Sequence, residues 1–334
     1  MIRIYGEFEG DSSLCRVSKG FAQVFPDAAK FDLGLWGNAL DDGAPDQPGA
    51  LAEVGIYVGS LSHIHASFRS KHEKLYVMVA PNSNTVGSLV RSKLACVERL
   101  LAPSRWAQGV LRVAFPDKEV LCVPHGVDPG FRRKQAKRTP EFSVLHLSSS
   151  ILERKGTDRL IEGWALAKLP DSRLFISVPP GRKEFFQDIA SNFGLTSSEV
   201  SITDRLDYDV EQMSALYSSV NYVCQPSRGE GFGLIPLEAR ACGTPVIATN
   251  CTGHSEHMRG AGVVVVNTGD DVPIDDFPGA LAPSLSAADV AEALTTAYEK
   301  QALYSDDARA SSEAIRKHWS WENQLKEFKN DITT

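Results

Sequence analysis

A chain of 334 residues with 43% apolar and 23% charged residues has the composition of a globular protein, which excludes a largely disordered chain. At roughly 100–200 residues per domain, the length predicts two domains. The formal net charge of −7 argues against a nucleic-acid partner, which selects for a basic face.

Read from the N-terminus, Met1-Ile-Arg-Ile-Tyr5 predicts a first strand over Ile2–Tyr5 and not a signal peptide. The loop Gly6–Ser13 follows and contains Gly10. Asp11 and Ser12 suit the N-cap of the next helix. The stretch Asn38–Gly49, rich in Gly, Pro and Asp, predicts a surface loop. Short apolar runs predict strands at Val54–Val58, Leu75–Val79, Leu100–Ala102 and Val120–Val123. His63 and His65 would share one side of a strand and read equally as surface, core or active-site groups.

The domain boundary is expected near Pro124–Pro140. Beyond it a second series of strands is read at Ser143–Leu147, Arg173–Val178, Val200–Ile202, Tyr222–Cys224, Val246–Ala248 and Gly262–Val266. Helical patterns separate the strands in both halves, which predicts parallel sheets with crossover helices. Leu160, Ile161, Trp164 and Ala165 fall at helical spacing, so Trp164 is expected in the core. The cluster Arg132, Arg133, Lys134, Lys137 and Arg138 reads as a solvated connector in preference to a strip that touches a membrane or an anion. Thr268–Pro283 is expected as a second surface loop. Cys15, Cys96, Cys122, Cys224, Cys242 and Cys251 are scattered, and no run reaches the ~20 apolar residues of a spanning helix. Both features predict a reduced, cytoplasmic protein without a transmembrane segment.

Leu101-Ala-Pro-Ser-Arg105 and Cys224-Gln-Pro-Ser-Arg228 occupy comparable places late in each half, where a proline ends an apolar strand. Two similar α/β halves predict ligands at the C-terminal ends of the strands. The most informative stretch starts there and runs Gln225-Pro-Ser-Arg-Gly-Glu-Gly-Phe-Gly-Leu-Ile-Pro-Leu-Glu-Ala-Arg-Ala-Cys-Gly-Thr-Pro-Val-Ile-Ala248. Gly229, Gly231 and Gly233 give a loop that can approach a ligand closely. Pro236 suits a first helical turn, and Gly243 followed by Pro245 suits its end. A helix starting near Pro236, just after a strand, offers free N–H groups and a macrodipole to a pyrophosphate. Glu238 could be no more than a first-turn acid gaining from that dipole. Together with Glu230, eight residues away around the glycine loop, it reads instead as a carboxylate that binds sugar or ribose hydroxyls.

These residues resemble the retaining GT-B glycosyltransferases of family four. Glu230 and Glu238 form a Glu-x7-Glu pattern, and Glu153-Arg154-Lys155-Gly156-Thr-Asp-Arg-Leu-Ile-Glu162 is similar to the family's arginine–lysine–glycine segment. Val97-Glu-Arg-Leu-Leu-Ala-Pro-Ser-Arg-Trp106, Val123-Pro-His-Gly-Val-Asp128 and Trp319-Ser-Trp321-Glu322 extend the resemblance, which is dense from about Val97 onward and thin before it. It implies an α/β GT-B fold of two Rossmann-like doubly wound domains facing across a cleft. Residues 1–128 would form the acceptor-side domain and residues 129–318 the donor domain, with a final helix over about residues 319–334 packing back on the first.

The same resemblance implies roles. Arg154 and Lys155 would hold the donor diphosphate, Glu238 the ribose, and Glu230 the transferred sugar, with Arg154, Lys155 and Glu230 carrying catalysis. Backbone N–H groups of Gly231, Phe232, Gly233 and Leu234 would surround the donor, and Gly10 would lie in a glycine-rich turn near it. Arginine grips phosphate with a planar fork, lysine adds a point charge, and preorganised cations stabilise charge developing on a leaving diphosphate. Such a site needs no metal, and the nucleotide-diphosphate-sugar is a co-substrate, so no cofactor is expected. Cys251-x-x-His254-x-x-His257 offers three zinc ligands where a structural site needs four, in a place where the resemblance implies a plain loop. Family members often carry a histidine after an N-terminal strand. Here Leu75–Val79 runs into Ala80-Pro-Asn-Ser-Asn84, which leaves the acceptor-side catalytic residue unassigned.

The expected function is retaining, metal-independent glycosyl (hexosyl) transfer from a nucleotide-sugar to a hydroxyl of a glycan, lipid or small molecule, with peripheral membrane contact left open. The alternatives are a GT-B sugar-nucleotide epimerase or hydrolase, and a non-catalytic nucleotide-sugar-binding subunit.

Overall fold

Apolar and β-branched runs suit a pleated surface buried on both faces, and the runs read as strands lie in two six-stranded parallel sheets. They are seen in a computed structural model that describes residues 1–10, 12–33, 52–61, 64, 72–136, 142–149, 152–204, 208–275 and 279–333. Asp11, His63, His65, Lys137, Arg138 and the stretch 38–49 lie outside the described residues. The chain divides into two compact units. One comprises Met1–Pro81, Thr85–Asp128 and His318–Thr334, the other Asn82–Asn84 and Pro129–Lys317.

The strands of the first unit are β1 (Ile2–Gly6), β2 (Ala29–Asp32), β3 (Ala52–Val58), β4 (His72–Met78), β5 (Arg99–Ala102) and β6 (Glu119–Cys122). Their order is β2-β1-β3-β4-β5-β6, so the chain reverses its direction of travel across the sheet at β1. That reversal makes a topological switch point, where loops splay apart at the strand C-terminal ends. Strand β2 was not expected from the sequence. It is an edge strand with no buried residue, so no apolar run marks it. Helices α1 (Ser13–Val24), α2 (Ser88–Lys93) and α3 (Arg105–Ala114) follow strands of this sheet. Ser12 caps α1 by accepting the Cys15 N–H at 3.1 Å.

The second unit contains β7 (Phe142–Leu147), β8 (Ser172–Val178), β9 (Val200–Asp204), β10 (Tyr222–Gln225), β11 (Val246–Thr249) and β12 (Val263–Val266). Their order is β12-β11-β10-β7-β8-β9, with the switch point between β7 and β10. Its helices are α4 (Thr157–Ala167), α5 (Lys183–Asn192), α6 (Val210–Ser219), α7 (Leu234–Ala241), α8 (Ala287–Glu299) and α9 (Gln301–His318). The expected stripe on α4 is real: Leu160, Ile161 and Trp164 are buried in the core of this unit. The stretch expected as a loop over Thr268–Pro283 holds an antiparallel ribbon, β13 (Asp271–Pro273) with β14 (Leu281–Pro283). Buried Ile274, Ala280 and Ala282 give that ribbon its own small core. The boundary stretch is tied down, with Arg133 donating to Gly243 O at 3.2 Å and Lys134 paired with Glu211.

The last helix, α10 (Trp321–Thr333), belongs to the first unit. Phe328 makes an edge contact with Tyr76 at 5.2 Å, and Phe21 of α1 meets both Trp321 and Phe328. Gly20 and Gly126 make room for Trp321, because a Cβ at either position would run into its indole. Among the described residues, no helix is long and apolar enough to cross a membrane.

Candidate functional site

The switch point of the second sheet brings together the loops that leave β7 and β10, although 75 residues separate them in sequence. A buried polar cluster fixes the first loop. His146, the next-to-last residue of β7, contacts Cys224 O at 2.9 Å and Thr157 Oγ1 at 2.8 Å, and Ser148 Oγ lies 2.9 Å from the same hydroxyl. Burial holds the His146 imidazole down to about 4, so it is neutral at physiological pH. Gly156 takes a left-handed φ of 65° before α4, and a Cβ there would strike the Pro226 carbonyl, so glycine allows the loops to touch.

Four bonds then join the loops. Arg228 N–H donates to Arg154 O at 2.8 Å, and Arg154 Nη1 donates to Gly229 O at 2.6 Å. Arg228 Nη1 meets Glu153 Oε1 at 2.5 Å, and Lys155 Nζ meets Glu230 Oε1 at 2.5 Å. Arg154 Nη1 stands 3.4 Å from the same Glu230 oxygen. Side-chain exposures of 8% for Arg154, 13% for Lys155 and 12% for Glu230 rule out an exposed basic loop. Burial by itself would raise the Glu230 carboxyl, but Lys155, Arg154 and, more weakly, His254 pull it down to about 2. Two cations and one carboxylate leave this buried cluster with an excess positive charge, which suits an anionic ligand.

A third loop, after β11, grips Glu230 from behind. Its short 3-10 helix spans Thr252–Glu256. Glu230 N–H donates to Thr252 Oγ1 at 3.1 Å, and Gly253 N–H donates to Glu230 O at 2.8 Å. Thr252 adopts φ 49°, a conformation that costs an L-residue about 1–2 kcal/mol. The three potential zinc ligands go separate ways, in keeping with the loop reading. Cys251 Sγ lies 3.6 Å from Ser227 O, His254 Nδ1 3.3 Å from Thr249 Oγ1, and His257 Nε2 2.9 Å from Phe232 O. No group of three His, Cys, Asp or Glu that could hold a metal is found among the described residues. Burial lowers His254 to about 4 despite the nearby Glu230 carboxylate.

Helix α7 starts two residues earlier than the sequence suggests. Gly233, at φ 89°, is the N-cap, so Leu234 opens the helix and Pro236 stands third, still within the turn whose N–H groups lack intrahelical partners. Glu238 is therefore a fifth-position residue, and the first turn contains no acid. The reading of Glu238 as a first-turn acid fails. Its side chain is buried, 1% exposed, and accepts a hydrogen bond from Tyr217 Oη of α6 at 2.8 Å. Phe232 meets His257 with ring centroids 4.6 Å apart and planes tilted at 48°, which fixes the glycine loop from the inside.

Arg154, Lys155, Glu230, the Gly231–Gly233 loop and the N-terminus of α7 thus meet in one unit, and Glu238 lies further along the same helix. Gly10 belongs to the other unit, where it takes φ 89° and its carbonyl accepts from Lys19 Nζ at 2.7 Å. Tyr217, Thr252 and Arg228 were not singled out from the sequence as parts of the site. Of these, Arg228 carried a signal, a charged side chain at the head of the glycine loop.

Two doubly wound, six-stranded parallel sheets, one in each unit, are those of a GT-B fold. Residues 141–300, within the second unit, match the family described as glycosyl transferases group 1. The chain is 30% identical over 229 residues to a D-inositol 3-phosphate glycosyltransferase of Arthrobacter sp. (strain FB24), a match covering 64% of this chain and 50% of the relative. The enzyme of the same name from Mycolicibacterium smegmatis is 31% identical over 234 residues, covering 64% and 52%. The chain spans about half the length of these curated relatives. Among solved structures, HepE of Anabaena in complex with UDP and glucose shares the fold over 99% of both chains, with a TM-score of 0.70 and 17% identity.

Proposed function

We propose that this protein transfers a sugar from a nucleoside-diphosphate-sugar to an acceptor hydroxyl with retention of configuration and without a metal ion. One observation carries the reading: Arg154, Lys155 and Glu230 meet, largely buried, at the C-terminal ends of β7 and β10. The names of the curated relatives and the UDP and glucose in the HepE complex support it.

In this reading the diphosphate rests against Lys155 and Arg154, near the N–H groups that open α7. As the bond between the anomeric carbon and the phosphate oxygen breaks, negative charge grows on the leaving diphosphate, where fixed cations stabilise it. The acceptor oxygen forms the new bond on the same face, and its proton passes to a leaving phosphate oxygen, so no protein nucleophile is required. Glu238 accepts from the ribose hydroxyls and Glu230 from those of the transferred sugar. The amides of Gly231, Phe232, Gly233 and Leu234 surround the donor. Lys155 and Glu230, paired at 2.5 Å in this structure, part when each finds its ligand partner. The acceptor is a glycan, lipid or small molecule in the cytoplasm.

A thermal-shift panel of nucleotide-sugars tests the donor grip. A bound donor at a hundredfold excess over its Kd stabilises the fold by about 2.7 kcal/mol. Sugar products analysed with and without acceptor then separate transfer from hydrolysis or epimerisation. A panel in which no nucleotide-sugar shifts the melting temperature would sink the proposal.

A further inference from the structure

Thr252 is a β-branched residue in a backbone conformation that glycine would adopt without strain. It stands at φ 49°, is largely buried, and opens the short helix behind Glu230. A threonine persists in such a conformation when its side chain does something that offsets the strain. Here that contact is visible: Thr252 Oγ1 accepts the Glu230 N–H at 3.1 Å, while the next residue, Gly253, donates its N–H to the Glu230 carbonyl at 2.8 Å. The left-handed turn aims both groups at once, so the Glu230 peptide is held on its donor side and on its acceptor side by two consecutive residues. A Cβ at position 253 would collide with the Glu230 and Gly231 backbone, so glycine is needed for this approach.

We propose that Thr252 is a positioning residue, which clamps the main chain of Glu230 so that its carboxylate meets the transferred sugar. Thr252 touches no ligand itself and acts only through Glu230. The proposal rests on the donor reading of Glu230. It separates two parts of one ligand: the clamp governs the grip on the sugar and leaves the grip on the nucleotide diphosphate to Lys155 and Arg154.

The test compares the wild-type 334-residue chain with Thr252→Gly and Thr252→Ser. The first keeps the turn and loses the hydroxyl, and the second keeps the hydroxyl. Hydrogen exchange at the Glu230 amide should quicken by about tenfold in Thr252→Gly, the equivalent of one lost hydrogen bond, and return toward wild type in Thr252→Ser. Calorimetric titration with UDP, UDP-glucose and UDP-N-acetylglucosamine supplies the second readout. In Thr252→Gly the affinity for UDP should stay within about twofold, while the extra affinity contributed by the sugar falls by up to about tenfold. Thr252→Ser should recover it. Unchanged exchange at Glu230, an unchanged sugar increment, or a parallel loss of UDP affinity would each overturn the clamp. A wild type that binds none of the three probes counts against the donor reading instead, and the exchange result then decides the clamp by itself.

Discussion

The same five-residue pattern closes a strand in each unit and leads to two different structures. After Leu101-Ala-Pro-Ser-Arg105, Ser104 Oγ accepts the Ala107 N–H at 3.0 Å and α3 begins at once. After Cys224-Gln-Pro-Ser-Arg228, the serine caps no helix. Its carbonyl accepts from Thr249 Oγ1 at 2.5 Å, its hydroxyl is buried without a partner, and a glycine loop intervenes before α7. The first unit shows that a strand can pass straight into a capped helix in this setting. The glycine loop of the second unit is therefore not demanded by the connection. It opens main chain between strand and helix, and Arg154, Arg228 and Thr252 hold it in shape.

Charge burial divides the units in the same way. Among the described residues, the buried arginines and the buried glutamate (Arg154, Arg228, Arg240 and Glu238) all belong to the second unit. Charges taken from water cost stability unless they are paired, so a unit that collects them has a use for them. The largest effect that could break this contrast is catalytic. Lys155→Ala or Glu230→Ala should lower transfer by about 10²–10³-fold, with the far-UV circular dichroism of the wild type. Steady-state turnover with the donor found by the thermal-shift panel is the measurement, and wild-type rates in either variant would detach the chemistry from the second unit's switch point.

Two smaller effects sharpen the contrast through stability. Glu153→Ala strips Arg228 of its carboxylate partner and leaves that guanidinium, 7% exposed, on the Pro283 carbonyl alone. Removing one partner of a buried pair costs about 3–5 kcal/mol, and the 29% exposure of Glu153 puts this case at the low end. Urea unfolding should show the loss in the second unit. In the first unit, Gly20→Ala pushes a methyl group into the Trp321 indole, and overpacking of this kind costs about 1–3 kcal/mol. Faster hydrogen exchange along α10, with the second unit unaffected, is the expected signature.

The sheets were legible because strands buried on both faces announce themselves as apolar runs, as Phe142–Leu147 and Val246–Thr249 do. Ala29–Asp32 was not, since an edge strand with no buried residue leaves no such run. The ribbon of β13 and β14 was hidden by Pro273 and Pro283, whose type signals loops but tolerates edge positions. At α7 the sequence rule for proline at the first helical position misplaced the start, because the left-handed Gly233 decides it. Arg154, Lys155 and Glu230 could be singled out by pattern, but their meeting depends on strand order, which pattern does not carry. Thr252 could not be read at all: its importance lies in a φ angle and a contact to a main-chain N–H.

The smallest effect per residue concerns acid. Burial keeps His146 and His254 down at about 4 and His257 well below its usual range, all in the second unit, whereas His125 in the first is held at about 3. In the unfolded chain each takes up a proton near pH 6.5, but in the folded chain none does until the pH is far lower. The unfolded state therefore binds more protons throughout the window from about 6.5 down to 4, and stability falls as pH drops through it. Between pH 7.5 and 6 the loss is about 1 kcal/mol for each such histidine, and of these four described histidines three belong to the second unit, which should weaken more. Urea midpoints at the two pH values can be read unit by unit through alkylation of buried Cys15 in the first and buried Cys224 in the second. A larger shift at Cys224 is expected. Equal shifts at both thiols would mean that the two units unfold as one, and that acid cannot tell them apart.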